Sequence, residues 1–123
     1  MTSMLHIKKH VAGVRIALTA TQIIAKLAHL NAWKLSGGDA DNNGNEQAVA
    51  IEKTFTFANY FETIAFVNVV AFVAHSQDHH PDLSVHYNCC VVRFNTHDVK
   101  GISQTDFDCA TQIDVLLHAK EAV

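Results

Sequence analysis

The stretch from Ile64 to Ala74 is apolar at every position except Asn68, and this feature constrains the fold more than any other. Asn59 precedes the stretch and Glu62 follows three residues later, which is the spacing of a helix N-terminal capping motif. A helix that is apolar nearly all round must be covered on more than one side. Because a chain of 123 residues builds only one modest core, we expect another copy of the chain to supply the second cover.

Patterns on either side of this middle helix predict two further helices and several strands. Apolar residues at helical intervals place a first helix at about residues 20–30, after Thr19 and Gln22 in capping-box spacing. Alternating side chains predict a short strand from Trp33, a strand over 51–57 and a longer strand or strands over 85–96. A third helix begins after Ser103, with Asp106 at capping-box spacing in its first turn, and its predicted buried stripe comprises Phe107, Ala110, Ile113 and Leu117. Strands bunched between helices favour an antiparallel sheet with helices on one face, an α+β fold.

The composition excludes several classes of protein. A formal net charge of −3 gives no sign of the basic patch that nucleic-acid binding needs. No apolar run reaches the roughly 18 residues of a membrane span. Three cysteines without CxxC spacing argue against a disulfide framework and favour a reducing compartment, the cytoplasm. Residues 1–38 are basic and lack acidic residues, which leaves organelle targeting as an alternative.

We divide the chain into an N-terminal extension, residues 1–17, and a single domain, residues 18–123. Within the domain, residues 36–47 are turn formers and small polar residues, so they predict a loop. Asp39, Asp41 and Asn43 match the first half of a calcium-binding loop, but Ala50 stands where the bidentate glutamate is required. We therefore expect no calcium site.

Nine histidines are the compositional anomaly of the chain. His79, His80 and Pro81 stand where the middle helix must end, because proline disfavours helical geometry at the residue before it. His97 and Asp98 stand at the far end of the long strand. If these two ends meet, the imidazoles can both donate and accept protons near neutral pH. The alternative is that His79 only caps the helix C-terminus and that His97 is an ordinary loop residue.

A metal site is a second alternative for the same histidines. His75 and His79 have the i, i+4 spacing of helical zinc ligands, and His80, His86 and His97 could add to them. Ser76 occupies the place of the glutamate that makes such a helix catalytic. We expect a site without metal.

Together these motifs resemble the pterin-4a-carbinolamine dehydratase family. The resemblance covers roughly residues 18–117 and rests on His79-His80-Pro81-Asp82, Tyr87-Asn88, Thr96-His97-Asp98, Gly101 and Asp106. It extends back through Phe55-Thr56-Phe57 to Trp33. One departure is His75, which stands where the family usually has a glutamate.

The resemblance implies a four-stranded antiparallel sheet with three helices on one face, assembled as a homodimer or homotetramer. It implies a pterin substrate, 4a-hydroxytetrahydropterin, which is dehydrated to quinonoid dihydropterin in tetrahydrobiopterin recycling. Neither a cofactor nor a metal is implied.

The family's site residues carry over by position. His79 and His97 are the implied acid–base pair, and His80 is the third catalytic histidine, which positions the pterin. These histidines also bind the substrate, together with Pro81, Thr96, Asp98 and Val99. A different function is also implied by the family: a non-catalytic dimerisation cofactor or coactivator of the same fold.

Overall fold

The strands and helices follow one another as the sequence patterns predict. The computed structural model of the chain describes residues 13–37 and 49–118. Its elements are α1 (Ala20–Leu27), β1 (Lys34–Ser36), β2 (Ala50–Thr56), α2 (Tyr60–Gln77), β3 (Asp82–Val85), β4 (Cys89–Phe94), a 3₁₀ turn (His97–Val99) and α3 (Gln104–His118). The strands form one antiparallel sheet in the order β1-β2-β4-β3. The α+β class, with four antiparallel strands and three helices, is confirmed.

Two regions of the sequence interpretation fall largely beyond the described residues. They are most of the segment set aside as an N-terminal extension and most of the turn-forming loop with its calcium-like half-motif. None of the helices within residues 13–37 and 49–118 is long and apolar enough to cross a membrane.

One face of the sheet carries the hydrophobic core. Ile51 and Phe55 of β2 and Cys90, Val92 and Phe94 of β4 are buried there, as their alternation predicts. The helices pack on this face and contribute Ile23, Phe66, Val70, Val73, Phe107, Ala110 and Ile113 to the same cluster.

Lys53 is the polar exception on the buried face of β2. Its ammonium is 3.0 Å from Oδ1 of Asp114 on α3, and the Trp33 indole N–H donates to Oδ2 of the same carboxylate at 2.9 Å. A buried lysine is tolerated only when it is paired in this way. The contact joins α3 to the sheet and to the chain that enters β1.

The region predicted as a strand or strands over residues 85–96 contains β4 and only the last residue of β3, Val85, so the prediction missed most of the first strand of this hairpin. The His86 N–H donates to the Cys89 carbonyl at 2.8 Å, so Tyr87 and Asn88 form the turn. Apolar and polar residues continue to alternate through this turn, and periodicity alone therefore does not reveal it. At the other end of the chain, α1 stops at Leu27 and continues to Leu30 only as tight i→i+3 turns.

The face of α2 that points away from the core is uncovered in the single chain. Phe61 is 84% exposed and Phe72 is 51% exposed, although both are large apolar residues. In the single chain, the apolar surface of α2 is therefore covered on one side only.

The three thiols are free and differ in exposure, so they should differ in reactivity. Cys90 and Cys109 are fully buried, and burial, reinforced by the Asp106 carboxylate, raises the pKa of Cys109 to about 12. Burial also raises the pKa of Cys90. Because the thiolate is the nucleophile, a raised pKa leaves both thiols protonated and inert at pH 8.

We therefore expect one thiol per folded chain, Cys89, to react with a disulfide reagent at pH 8, and all three to react in guanidinium. Cys89→Ser should abolish the fast reaction. Reaction of three thiols under native conditions would contradict the core described above.

Candidate active site

A polar cleft of about 420 Å³ opens between the C-terminal end of α2 and the 3₁₀ turn after β4. It brings together four residues predicted from the sequence. The lining comprises Arg15, Asp78, His79, His80, Asp82, Asn95, His97 and Asp98. Of the other predicted site residues, Pro81 and Val99 are half-buried and Thr96 is buried, and none of the three belongs to the lining within the described chain.

The end of α2 determines where His79 and His80 lie. Asp78 adopts the left-handed conformation, with φ 50° and ψ 45°. The His79 N–H donates back to the Ala74 carbonyl at 3.0 Å, and the Asp78 N–H donates to the His75 carbonyl at 3.2 Å. This pair of bonds is a Schellman ending, which reverses the chain and turns the residue after the left-handed position onto the helix. His79 is consequently buried, whereas the next residue, His80, is exposed.

The His79 ring is held on two sides. Its Nε2 lies 2.5 Å from Oδ1 of Asp106, and its plane stacks on Phe94 with ring centroids 5.9 Å apart. The side chain is only 6% exposed, so the imidazole sits in the wall of the cleft rather than in the opening.

Asp106 is completely buried and accepts hydrogen bonds from three directions. Besides His79, its Oδ2 accepts from the Thr96 hydroxyl at 2.7 Å and from the Ser103 N–H at 2.9 Å. The Thr96 and Ser103 hydroxyls are 2.6 Å apart, so Ser103 can donate to Thr96 while Thr96 donates to the carboxylate. The Thr96 hydroxyl and the Ser103 N–H both present a hydrogen to Oδ2, which suits an ionised carboxylate. An ionised Asp106 in turn requires a hydrogen on Nε2 of His79.

The same network replaces half of the capping box that the sequence predicts for α3. The Ser103 hydroxyl turns towards Thr96 instead of capping the helix, while the Asp106 carboxylate still reaches back to the Ser103 N–H. Sequence spacing therefore locates Asp106 in the first turn of α3 correctly. It gives no indication that the same carboxylate binds His79.

His97 is exposed on the 3₁₀ turn, and Thr96 fixes the base of that turn. A bridge between Thr96 and Gly101 closes the loop, with the Thr96 N–H donating to the Gly101 carbonyl at 2.8 Å. Lys100 completes the turn in the left-handed conformation, with φ 51°. Thr96 therefore connects His97 to the buried Asp106, and through it to His79.

Two of the five histidines that the metal alternative would combine, His75 and His86, do not line the cleft with the other three. His79 lies beyond the end of α2, so the i, i+4 relation to His75 does not place both rings on one helix face. His86 lies on the hairpin, with Nε2 3.0 Å from the Ser84 hydroxyl. Within residues 13–37 and 49–118, no three histidine, cysteine or acidic side chains are arranged to hold a metal ion.

Sequence analysis missed several residues of the cleft. Asp78, Asn95 and Arg15 had no motif that pointed to them, and Asp82 appeared only as part of the family resemblance. The first two are neighbours of predicted positions in the chain. Arg15 lies 63 residues from Asp78, and only the fold brings it there.

Replacing Asp106 should destabilise the protein strongly. In Asp106→Asn an amide replaces the buried carboxylate. The NH₂ group of the amide cannot accept hydrogen bonds, so the donors that face it lose their acceptor. We expect the free energy of unfolding to fall by about 3 kcal/mol, the scale for breaking a buried charged pair. Urea denaturation measures this change.

Asp108→Asn is the matched control, because Asp108 is exposed two residues further along α3 and accepts only from Gln104 in the described structure. It should change the unfolding free energy by less than about 0.5 kcal/mol. Equal effects of the two substitutions would contradict the central position of Asp106.

Known proteins share both this sequence and this fold. Residues 16–116 match the family described as Pterin 4 alpha carbinolamine dehydratase. A protein of Paracidovorax citrulli, which bears that dehydratase name provisionally, is 60% identical over 98% of this chain and 97% of its own. A Bdellovibrio bacteriovorus protein with the same provisional name is 45% identical over 94% of this chain and 88% of its own.

Solved structures agree. The crystal structure of a transcriptional coactivator/pterin dehydratase from Brucella melitensis superposes with a TM-score of 0.70 at 25% identity, over 81% of this chain and 97% of that one. A pterin dehydratase-like protein identified as a RuBisCO assembly factor shares the fold alone, with a TM-score of 0.54 at 18% identity, over 72% of this chain and 92% of that one. Motif, fold and relatives coincide, and the chain belongs to the pterin-4a-carbinolamine dehydratase family of hydro-lyases.

Proposed function

We propose that this chain dehydrates 4a-hydroxytetrahydropterin to quinonoid dihydropterin in the cleft that contains the three histidines. The observation that carries the proposal is the convergence of His79, His80 and His97 on one cleft from separate elements of the fold. The family's named activity supplies the reaction, and the cytoplasm, with its reducing conditions, suits a chain with free thiols. Tetrahydrobiopterin recycling is the pathway in which this reaction occurs.

The reaction needs one proton donor and one proton acceptor. The acid protonates the 4a-hydroxyl, the C4a–O bond breaks, and water leaves. The base removes the hydrogen of N5, and the electron pair of that N–H bond forms the C4a=N5 double bond. No electron acceptor is consumed, and two imidazoles of opposite protonation state are sufficient.

We assign the acid–base pair to His79 and His97 and the positioning of the pterin to His80. At His79 the proton transfer is assigned to Nδ1, because Nε2 contacts Asp106; Asp106 and Phe94 hold the ring, so this imidazole has a fixed orientation. His97 and His80 are exposed and can contact a solute directly. In the substrate, the 4a-hydroxyl is bound to C4a and the hydrogen to be removed is bound to N5, the adjacent ring atom. One imidazole of fixed orientation and a second, accessible imidazole suit two reacting groups that are this close together.

Carboxylates of the cleft can hold the pyrimidine ring of the pterin. Asp82 and Asp98 line the cleft, and a carboxylate accepts well from the amino and ring N–H groups of an aminopyrimidinone. Pro81 and Val99 are the chain neighbours of these residues and shape the cleft from outside its lining, and Thr96 acts behind the surface through Asp106.

Substitution of each histidine tests these assignments. We expect His97→Ala to lower kcat about 10²-fold or more, the usual loss for a general acid or base. His79→Ala would also leave Asp106 short of a donor, so His79→Gln, whose amide can still donate, is the cleaner variant and should lower kcat to a similar degree. His80→Ala should mainly raise KM. Steady-state kinetics with 4a-hydroxytetrahydropterin measures all three.

His29→Ala is the matched control, since His29 is exposed beyond the end of α1 and does not line the cleft. Dialysis against a strong chelator should leave activity unchanged, whereas stoichiometric zinc whose removal abolishes turnover would contradict the acid–base mechanism. A well-folded wild-type protein without any turnover would instead favour the non-catalytic interaction role.

We also propose that the chain assembles as a homodimer or homotetramer through α2. Phe61, Ala65, Asn68 and Phe72 are all exposed and follow one another at intervals of four, three and four residues. These intervals form the seam of a helix pair, in which each side chain packs between residues of the facing helix. An apolar groove of about 460 Å³ beside the seam is lined in part by Phe57, Phe61, Val69 and Leu116.

The two faces of α2 should respond differently to an introduced charge. Phe72→Glu should give a folded monomer, whereas Val73→Glu should unfold the chain because Val73 is fully buried in the core. Gln112→Glu on the exposed face of α3 should change neither property. Light scattering and circular dichroism separate these outcomes, and a wild-type protein that is monomeric at micromolar concentration would refute the assembly.

A further inference from the structure

The segment that precedes α1 contacts both elements that carry the histidines of the cleft. Gly13 to Thr19 runs alongside the domain, and the Leu18 N–H donates to the Ile102 carbonyl at 2.8 Å. Ile102 directly follows the loop closed by the Thr96–Gly101 bridge, which contains His97. Leu18 also packs against the core, so its position is fixed relative to that loop.

Three residues earlier, Arg15 reaches the other side of the cleft. Its Nη2 donates to the Asp78 carbonyl at 3.0 Å and lies 3.5 Å from the Gln77 carbonyl. The Schellman bonds at the end of α2 use the carbonyls of Ala74 and His75, so these two later carbonyls depend on a different donor. A guanidinium placed here also complements the negative end of the helix dipole.

The Arg15 guanidinium contacts a backbone segment whose conformation is unfavourable in free energy. Asp78 is left-handed at φ 50°, a conformation that a residue with a side chain adopts only at a cost in free energy. His79 and His80 follow directly, and their directions depend on that one residue. Arg15 itself lines the cleft beside them.

We infer that Arg15 is a positioning residue of the active site, which holds the Asp78 backbone so that His79 and His80 keep their places relative to His97. The inference rests on the proposed function for its effect on turnover, but its effect on the backbone is independent of any substrate. Arg15 lies just before the residues that match the family, so the family resemblance does not assign it.

Amide hydrogen exchange and steady-state kinetics on the full-length chain test this role together. Arg15→Ala should speed exchange of the Asp78 and His79 amides by about tenfold or more, while the amide of Val70 within α2 is unchanged. The value of kcat should fall about tenfold because His79 is displaced, and KM should rise as well because the displaced His80 no longer positions the substrate. Arg15→Lys, which keeps the charge without the planar fork, should recover part of both losses. Lys26→Ala, a half-buried cation of α1 outside the cleft lining, is the matched control and should behave as wild type.

Unchanged exchange at Asp78 and His79 in Arg15→Ala would overturn the inference. Faster exchange with a kcat equal to that of Lys26→Ala would overturn it as well, since Arg15 would then stabilise the helix end without serving the site. If wild-type protein does not turn over the pterin, the proposed function fails, and exchange alone decides whether Arg15 holds this backbone. Should Arg15→Ala unfold, Arg15→Gln, which can still donate to one carbonyl, replaces it and is judged by the same outcomes.

Discussion

The buried carboxylate of Asp106 is the interaction on which both the fold and the cleft depend. An isolated charge in a core costs several kcal/mol, so it persists only when donors surround it. Here the donors come from three separate places: His79 after α2, Thr96 after β4 and Ser103 before α3. All three element ends must meet before the carboxylate is satisfied, and the contacts that complete folding therefore also assemble the site.

This dependence explains why adjacent histidines can have different functions. The Schellman ending of α2 turns His79 onto Asp106 and leaves His80 in the solvent-exposed part of the cleft. The inner ring gives up conformational freedom during folding, so in the proposed function its orientation is fixed before a substrate binds. His80 and His97 are exposed, which suits the direct contact with a substrate that the proposed function assigns to them.

Sequence reasoning succeeded where the signal is local and failed where it is not. The Asn59 cap, the Thr19 capping box and the alternation along β4 each depend on residues a few positions apart, and the structure contains all of them. Nothing near Lys53 in the sequence points to its partner Asp114, 61 residues away. A contact between residues so far apart in the chain produces no periodic pattern or fixed spacing in the sequence, so only the folded structure reveals it.

The site could be anticipated only in part for the same reason. The histidine positions followed from a motif, which fixes residues along the chain. The support behind His79 followed from packing, which a motif does not describe. Arg15 is the extreme case, because its partner carbonyls belong to the backbone of Gln77 and Asp78 and any residue type would offer them. A contact to the backbone does not restrict which residue type occupies the partner position, so a sequence pattern cannot reveal it.

Helix α2 contributes to the proposed assembly and to the site, yet the two uses lie at different positions along it. The seam ends at Phe72, and Asp78 stands six residues further on, which corresponds to about 9 Å along a helix axis. Phe61, at the other end of the seam, is about 25 Å from Asp78 by the same rise. The proposed seam and the end of α2 that carries the site therefore involve different residues of the helix. The core side of α2 is packed through Val70 and Val73, so the core itself already holds the helix, and the residue after its end, His79, meets Asp106 whether or not the proposed assembly forms.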